Sequence, residues 1–382
     1  MRDEEGERFR FISSRSSRSP SQRGEFDFIH RIRRRALKAQ KLIQRRDEAE
    51  ARLSSFIPHA SSLLYGIGDD AAIITHGRRG ELVVTADMLV EEVDFRLDWT
   101  VPRLLGHKAL AVSLSDVAAM GARPRWAMLS VGVPREIWET DFLDQFYDGF
   151  FSLAAEYGVA LIGGDVSRTP ERLVIDSVLL GESKPGRTTL RAGARAGDHI
   201  FVTGSLGGAA AGLRLLERGA RLRRREGGPI KSRTRSAEAQ AVEWLLLRHL
   251  RPAPRVLWGE LLGTRKLATA MIDISDGLSA DLSHLCRESE VGALIEAERV
   301  PVDPLISQLR DEQLDPLALA LHGGEDFELL FTVAPRDLRR LPREVCGVPA
   351  TYIGDVTNRR QGLTLLDGGR RRRLRPQGFS HF

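Results

Sequence analysis

Short apolar runs alternate along most of the chain with stretches in which apolar residues recur every three or four positions. Runs of the first kind predict strands and stretches of the second predict helices. Strands are expected at 82–86, 126–133, 159–162, 173–180, 199–203, 270–274, 292–296, 328–333 and 350–353, with a further apolar run at 71–74. Helices are expected at 102–120, 137–157, 208–217, 237–250, 278–287 and 316–321. Interleaving of this sort belongs to an α/β or α+β protein. The Gly-, Pro- and Arg-rich segment 182–198 separates two strand predictions and reads as a domain boundary, giving domains at 24–185 and 186–382.

Acidic residues interrupt this pattern in a regular way. "LVVTAD" closes an apolar run at Asp87, "VALIGGD" closes one at Asp165, and "AMIDISDG" places Asp273 and Asp276 at the close of another. Each carboxylate is expected where a strand empties into a loop, the usual place for a ligand site in an open sheet. Asp116 stands within an apolar helical stripe with Leu105, Ala109, Val112 and Ala119, and Asp70 follows a glycine-broken turn, "GIGDDAA", just before the apolar run at 71–74.

At 382 residues the chain has sequence for two cores. Its content, 42% hydrophobic and 29% charged, is that of a globular protein, and no run approaches the roughly 20 apolar residues of a membrane helix. The net charge of +5 comes largely from Arg-rich patches at 8–46, 221–235 and 370–375, which read as solvated tails and a loop. Aromatic residues are not interleaved with them as a single-strand binder requires, so nucleic acid is not the expected partner. Residues 1–23 are low in complexity and read as a disordered extension, with folded sequence starting near Gly24, where Phe26, Ile29 and Ile32 show helical spacing. Acids at Asp3, Glu4, Glu5 and Glu7 argue against a transit peptide. The two cysteines, Cys286 and Cys346, have no metal-site spacing and fit a reducing, cytoplasmic setting.

A turn former or helix cap would explain any one of these acids. As a set, Asp70, Asp87, Asp116, Asp165, Asp273 and Asp276 are costly to bury without compensation, and the motifs around them hold almost no Lys or Arg. Hard oxygen ligands without His or Cys favour Mg²⁺, completed by substrate phosphates. No Walker A loop or kinase glycine loop is present. "TGSLGGAAAG" at 203–212 reads mainly as a glycine-rich turn opening a helix, with anion binding as the alternative.

With these residues in view, "GIGDDAA", "TADMLVEEVDF", "HKALAVSLSDVAAMGARP", "LIGGDVSR", "IDISDGLSADL" and "LHGGEDFELLFTV" resemble, in order and spacing, the motifs of thiamine-monophosphate kinases, within the aminoimidazole ribonucleotide synthetase-like ATP-dependent enzymes. The resemblance runs from about Gly24 to Phe382. It implies ATP-dependent conversion of thiamine monophosphate to thiamine diphosphate. The implied fold is two-domain, α+β or α/β, with an N-terminal sheet forming a homodimer interface and a C-terminal α/β domain. Residue by residue, it implies Mg²⁺ ligands at Asp70, Thr85, Asp87, Asp116, Asp165, Asp273 and Asp276, with Asp116, Asp165 and Asp273 closest to catalysis. Gly164, Asp165, Arg191 and Ser275 match nucleotide contacts, with Tyr147 near the nucleotide, while Glu325 and Phe379 match contacts to thiamine phosphate.

Two positions depart from the family pattern. Asp94 in "EEVDF" stands where a His substrate contact is common, and Ala86 replaces the middle residue of a Ser-Thr-Asp triplet. An acid at 94 meets the cationic thiazolium but repels phosphate. The nucleophile would be a phosphate oxygen, already anionic near pH 7 because its second pKa is about 6, so charge neutralisation matters more than a general base. The alternatives are another ATP-dependent member of the superfamily and a non-catalytic nucleotide-binding protein.

Overall fold

The computed structural model describes residues 63–65, 69–75, 80–222, 236–309, 311 and 313–379. The predicted extension at 1–23, the helical start at 24–32 and residues 223–235 of the Arg-rich segment lie outside the described residues. In the N-terminal half, strands β1 (Leu63–Tyr65), β2 (Ala72–Thr75) and β3 (Glu81–Val90) precede helix α1 (Pro102–Ala119). Strand β4 (Arg123–Val133), helices α2 (Arg135–Trp138) and α3 (Phe142–Tyr157), and strands β5 (Ala160–Arg168) and β6 (Val174–Ser183) complete it. These strands form one sheet in the order β1-β2-β3-β6-β4-β5, antiparallel except where β5 joins β4.

The C-terminal half begins with β7 (His199–Thr203), α4 (Gly208–Glu217), α5 (Ala237–Leu250), α6 (Val256–Arg265) and β8 (Ala268–Ile274). It continues through α7 (Leu278–Glu288), β9 (Val291–Glu296), α8 (Pro304–Gln308), α9 (Pro316–His322) and β10 (Glu328–Val333). Last come β11 (Glu344–Val345), β12 (Val348–Asn358), β13 (Leu363–Asp367) and β14 (Arg370–Arg373). Its sheet runs β14-β13-β9-β12-β7-β10-β8, with β13 and β9 parallel and the other pairs antiparallel. Both halves are therefore α+β, as two sheets each covered by helices.

Helix α1 joins the two halves. It touches β3 and β6 on one side and β8 and β10 on the other, and one apolar core gathers Leu110, Leu114 and Val117 of α1 with Val83, Leu179, Met271, Leu329 and Phe331 from the two sheets. Val112, Ser113, Ser115 and Val117 are all buried, so α1 has no solvent face over this stretch. The expected stripe is buried at Leu105, Ala109, Val112 and Ala119, and burial extends past it to the other faces of the helix, polar His107, Lys108, Ser113 and Ser115 included. Glycines bring its neighbour in close, since a Cβ on Gly106 would lie 1.8 Å from the Phe146 carbonyl oxygen, and one on Gly149 1.8 Å from that of Arg103. Strand residues alternate as a period of two demands: Met271 and Leu329 face the α1 side, while Ala270, Ile272 and Leu330 enter a second core with Leu282 and Leu285 of α7.

Several expectations are revised. The single helix at 137–157 is two, because the Thr140 hydroxyl donates to the Ile137 carbonyl and accepts from the Phe142 N–H, ending one helix and starting the next. α6 was not anticipated: Gly259 and Gly263 lower its helix propensity, but they allow the backbone to meet Ala118 and Gly121. Residues 370–373 form the exposed edge strand β14 and not a tail, returning through the Asp367-Gly368-Gly369 turn. Asp87 and Asp165 lie inside β3 and β5, not at strand ends, because ladder pairing continues to Val90 and Arg168. Among the described residues no helix is long and apolar enough to cross a membrane.

Candidate active site

Asp70, just before β2, Asp116 on α1 and Asp273 on β8 each offer a carboxylate oxygen, and these atoms lie within 4.8 Å of one another. The position of α1 between the sheets explains the convergence. Ser113 Oγ donates to Asp87 Oδ2 on β3 at 2.6 Å, and Ser115 Oγ donates to Asp273 Oδ2 on β8 at 2.6 Å. Asp116 Oδ2 accepts from Thr85 Oγ1 of β3 at 2.5 Å. "SLSD" thereby ties acids from both sheets to one helix. Ser113, Ser115 and Asp69 were not singled out in the sequence, although the motifs around Asp116 and Asp70 contained them.

Crowded carboxylates in a buried place resist ionisation. Burial, and then the charges of Asp87, Asp273 and Asp70, hold the Asp116 carboxyl well above the usual range, against the Thr85 hydrogen bond. Burial and Asp70 push Asp273 up to about 8, with Ser115 and Arg191 opposing. Asp69 rises to about 8 through burial and Asp70, and Asp87 to about 6 through burial, with the Ser113 hydrogen bond opposing.

Compensation by a cation comes partly from Arg191, which lies outside the acidic motifs. Its Nη2 stands 2.6 Å from Asp70 Oδ1, and its backbone N–H donates to Asp69 Oδ2 at 3.1 Å. Arg191 is thus drawn into the acid cluster and is not a solvated side chain. One oxygen remains unserved: Asp70 Oδ2 is buried without a hydrogen-bond partner.

The other candidates fall into separate places. Asp276 stands with Asp281 and His284 of α7, their ligand atoms within 4.8 Å of one another; neither Asp281 nor His284 was anticipated. Ser275 lies between this group and Asp273, and its carbonyl accepts from the Glu325 N–H at 2.7 Å. Phe379 is 51% exposed, and its N–H reaches the Asp276 carbonyl at 3.3 Å, so the C-terminal chain passes over the Asp276 loop. Asp94 Oδ2 accepts from the Val90 N–H at 2.7 Å, which caps the end of β3. Tyr147 packs on α3 between Phe146 and Phe151.

Asp165 is not brought to the cluster within this chain. Register runs Asp165 to Ser130, Ser130 to Asp176 and Asp176 to Met88, so these residues share the sheet face opposite to Thr85 and Asp87. β5 is also three strands from β3, roughly 14 Å at ordinary strand spacing. Gly164 beside it has a φ of 147°, and a Cβ there would lie 1.9 Å from the Leu129 carbonyl oxygen, so the strand pairing itself requires glycine.

The glycine-rich turn before α4 has its amides already engaged. Asp326, buried next to Glu325, accepts from the Gly207 N–H at 2.6 Å and the Ala209 N–H at 3.1 Å. The turn is therefore bound to an internal carboxylate, in line with its main reading and against the anion-site alternative. Glu325 itself is paired with Lys108 Nζ at 2.7 Å and His249 Nδ1 at 2.8 Å.

Residues 68–183 match the family description "AIR synthase related protein, N-terminal domain", and residues 195–365 match "AIR synthase related protein, C-terminal domain". The thiamine-monophosphate kinase of Escherichia coli (strain K12) is 40% identical over 324 residues, covering 83% of this chain and 91% of its own length. That of Bacillus subtilis (strain 168) is 34% identical over 361 residues, 94% of this chain and 99% of its own. Among solved structures, AaThiL complexed with AMPPCP and TMP superposes with a TM-score of 0.72 at 31% identity, covering 96% of this chain and 99% of that one.

Proposed function

Since this chain belongs to the thiamine-monophosphate kinases among the AIR synthase related proteins, we infer that it transfers the γ-phosphoryl group of ATP to thiamine monophosphate, forming thiamine diphosphate and ADP. The observation that carries this reading is the group Asp70, Asp116 and Asp273, which draws on both halves of the chain and leaves the buried Asp70 Oδ2 without a partner. An all-oxygen donor set short of positive charge, in which burial and neighbouring acids raise the pKa values of Asp116 and Asp273, fits Mg²⁺. Asp70, Asp116 and Asp273 would hold it, with Asp87 beside them. Bound there, Mg²⁺ neutralises charge on the reacting phosphates.

The chain's own residues account for the rest. Ser113, Ser115 and Thr85 fix the carboxylates by hydrogen bonds, so that the acids do not reorganise as the reaction proceeds. Thr85 serves here by orienting Asp116. Arg191, already cationic at the cluster, is placed to exchange part of its contact with Asp70 for a nucleotide phosphate, with Ser275 beside it. Glu325 and Phe379, whose backbone amides meet the adjacent carbonyls of Ser275 and Asp276, form the thiamine end. A terminal oxygen of thiamine monophosphate bonds to the γ-phosphorus as its bond to the ADP oxygen breaks. No side chain at the cluster is needed as a general base for a phosphate nucleophile.

The same reading assigns domains at 24–185 and 186–382, and a cytoplasmic homodimer. Support for the dimer lies on the outer face and open edge of the N-terminal sheet, where Met88, Met128, Ile162 and Val166 are exposed. A second copy on this face would also carry its own Asp165 and Gly164 to the nucleotide, which explains why Asp165 points away from the acids of its own chain. Incubation of the purified protein with ATP, Mg²⁺ and thiamine monophosphate tests the reading: thiamine diphosphate and ADP should form in equal amounts, and ATP breakdown without thiamine diphosphate would refute it. With chirally labelled γ-phosphate, inversion is expected for direct transfer, and retention would require a phosphoenzyme.

A further inference from the structure

Lys108 is 2% exposed in the middle of α1, and its ammonium is 2.7 Å from Glu325 Oε1. His249, at 4% exposure near the end of α5, places Nδ1 2.8 Å from Glu325 Oε2. Each carboxylate oxygen is thus held by a different, almost fully buried residue, while the Glu325 side chain keeps 29% of its surface open. Three elements far apart in sequence supply the group: α1, α5 and the loop between α9 and β10.

The backbone at this point is also unusual. Glu325 has a φ of 65° and Phe327 a φ of 49°, a region that costs non-glycine residues energy. The conformation is held by the Glu325 N–H on the Ser275 carbonyl at 2.7 Å and the Phe327 N–H on the Ile274 carbonyl at 2.9 Å. Lys108 and Ser115 stand two helical turns apart on α1, about 10 Å along its axis. One helix thereby anchors Asp273 at one end of the site, through Ser115, and Glu325 at the other, through Lys108. Burying an ammonium is expensive unless its charge is used, and nothing in the phosphoryl-transfer chemistry above uses Lys108.

We propose that Lys108 and His249 are positioning residues for Glu325, fixing both carboxylate oxygens so that its remaining lone pairs lie on the side left open and receive the cationic, N–H-bearing part of thiamine monophosphate. This rests on the assignment of Glu325 to the thiamine end. Held in this way, the carboxylate stays ionised, since Lys108 and His249 outweigh the effect of burial. The arrangement selects for a substrate that brings positive charge or donors to it, while ATP at the other end of α1 is indifferent to it.

Steady-state kinetics with thiamine monophosphate and ATP varied separately, on Lys108→Met, His249→Asn and Glu325→Gln, test this. Lys108→Met and Glu325→Gln should each raise KM for thiamine monophosphate about tenfold or more, with KM for ATP and kcat within a few-fold of the parent. His249→Asn, whose shorter side chain loosens the contact to Oε2 while keeping a donor, should raise KM for thiamine monophosphate in the same direction by a smaller factor, and an unchanged KM would remove His249 from the positioning role. A Lys108→Met enzyme with unchanged KM for thiamine monophosphate, beside an impaired Glu325→Gln, would overturn the positioning role alone. An unimpaired Glu325→Gln would overturn both that role and the placement of Glu325 at the substrate. Should Lys108→Met not fold, Lys108→Met/Glu325→Gln, which buries no unpaired charge, decides the matter. It should match Glu325→Gln alone, and a further multiplicative loss would show that the two residues act separately.

Discussion

Replacing Asp116 by asparagine keeps the outline of the side chain and its contact with Thr85 while removing one charge from a crowded site. The fold should persist, and the metal-free protein should melt no lower than the parent, because repulsion from Asp87, Asp273 and Asp70 is relieved. Turnover should nonetheless fall by about 10²-fold or more, if charge stabilisation is the main catalytic contribution. Thermal melts and the kinase assay on the same preparation check this, and normal turnover would leave Asp116 a purely structural acid. The same crowding has a signature in pH. An acid with a raised pKa in the folded chain holds a proton that the unfolded chain has released, so its share of stability is present at low pH and lost as pH rises. For Asp87 that loss runs from the ordinary 3.8 to about 6, and for Asp69 and Asp273 from 3.8 to about 8. Mg²⁺ favours the carboxylate forms, so binding near pH 7 should release protons and tighten between about pH 6 and 8. Calorimetry in buffers of unlike ionisation enthalpy reads the released protons, and identical heats in all buffers would count against the cluster as a metal site.

At the scale of elements, two helices are set in place by buried polar groups. α4 begins at a turn whose Gly207 and Ala209 amides rest on Asp326, and α1 is tied to two strands, β3 and β8, through Ser113, Ser115 and Thr85. Asp326→Ala would strand both amides in a buried place, at a cost of about 1–3 kcal/mol for each unsatisfied group. The variant should melt lower than the parent, with faster amide exchange at Gly207 and Ala209. Unchanged exchange would mean that the turn is held by its own geometry. At the start of β10, Arg255 and Thr203 meet the fully buried Glu328, with Arg255 Nε at 2.5 Å and Thr203 Oγ1 at 2.7 Å, while Arg248 reaches both Glu328 and Asp326.

For the whole molecule, the decisive fact is the position of β5 at the edge of the N-terminal sheet among the described residues, with Asp165 on the face opposite to the acid cluster. If a second copy covers that face, each site combines Asp116 of one protomer with Asp165 of the other. Asp116→Asn and Asp165→Asn enzymes, each inactive alone, should then complement after subunit exchange. Random mixing of a twofold dimer should restore about a quarter of parental activity, since half of the dimers carry one intact site. Failure to complement, in a sample shown by mass to contain mixed dimers, would confine each site to one chain.

Much of this was legible in the chain by itself. The bounds of β7, β10, α4 and α5 follow from local alternation and periodicity, and the set of acidic motifs carries the family. Those features depend on neighbours in sequence, where strand period, helix period and capping act directly. α6 was hidden because its glycines speak against a helix until Ala118 and Gly121 are packed against them. What only the tertiary structure decided is which acids meet. Asp70, Asp116 and Asp273 converge because α1 is enclosed between two sheets, and Arg191 joins them from the segment linking those sheets. Asp276 turns to Asp281 and His284, while Asp165 is carried to the far face by strand order and register. Lys108, His249 and Glu325 give no joint signal in the sequence, since their union depends on contacts between elements well separated along the chain. Long-range contacts of this kind arise only when the strands have taken their places, and no local pattern encodes them.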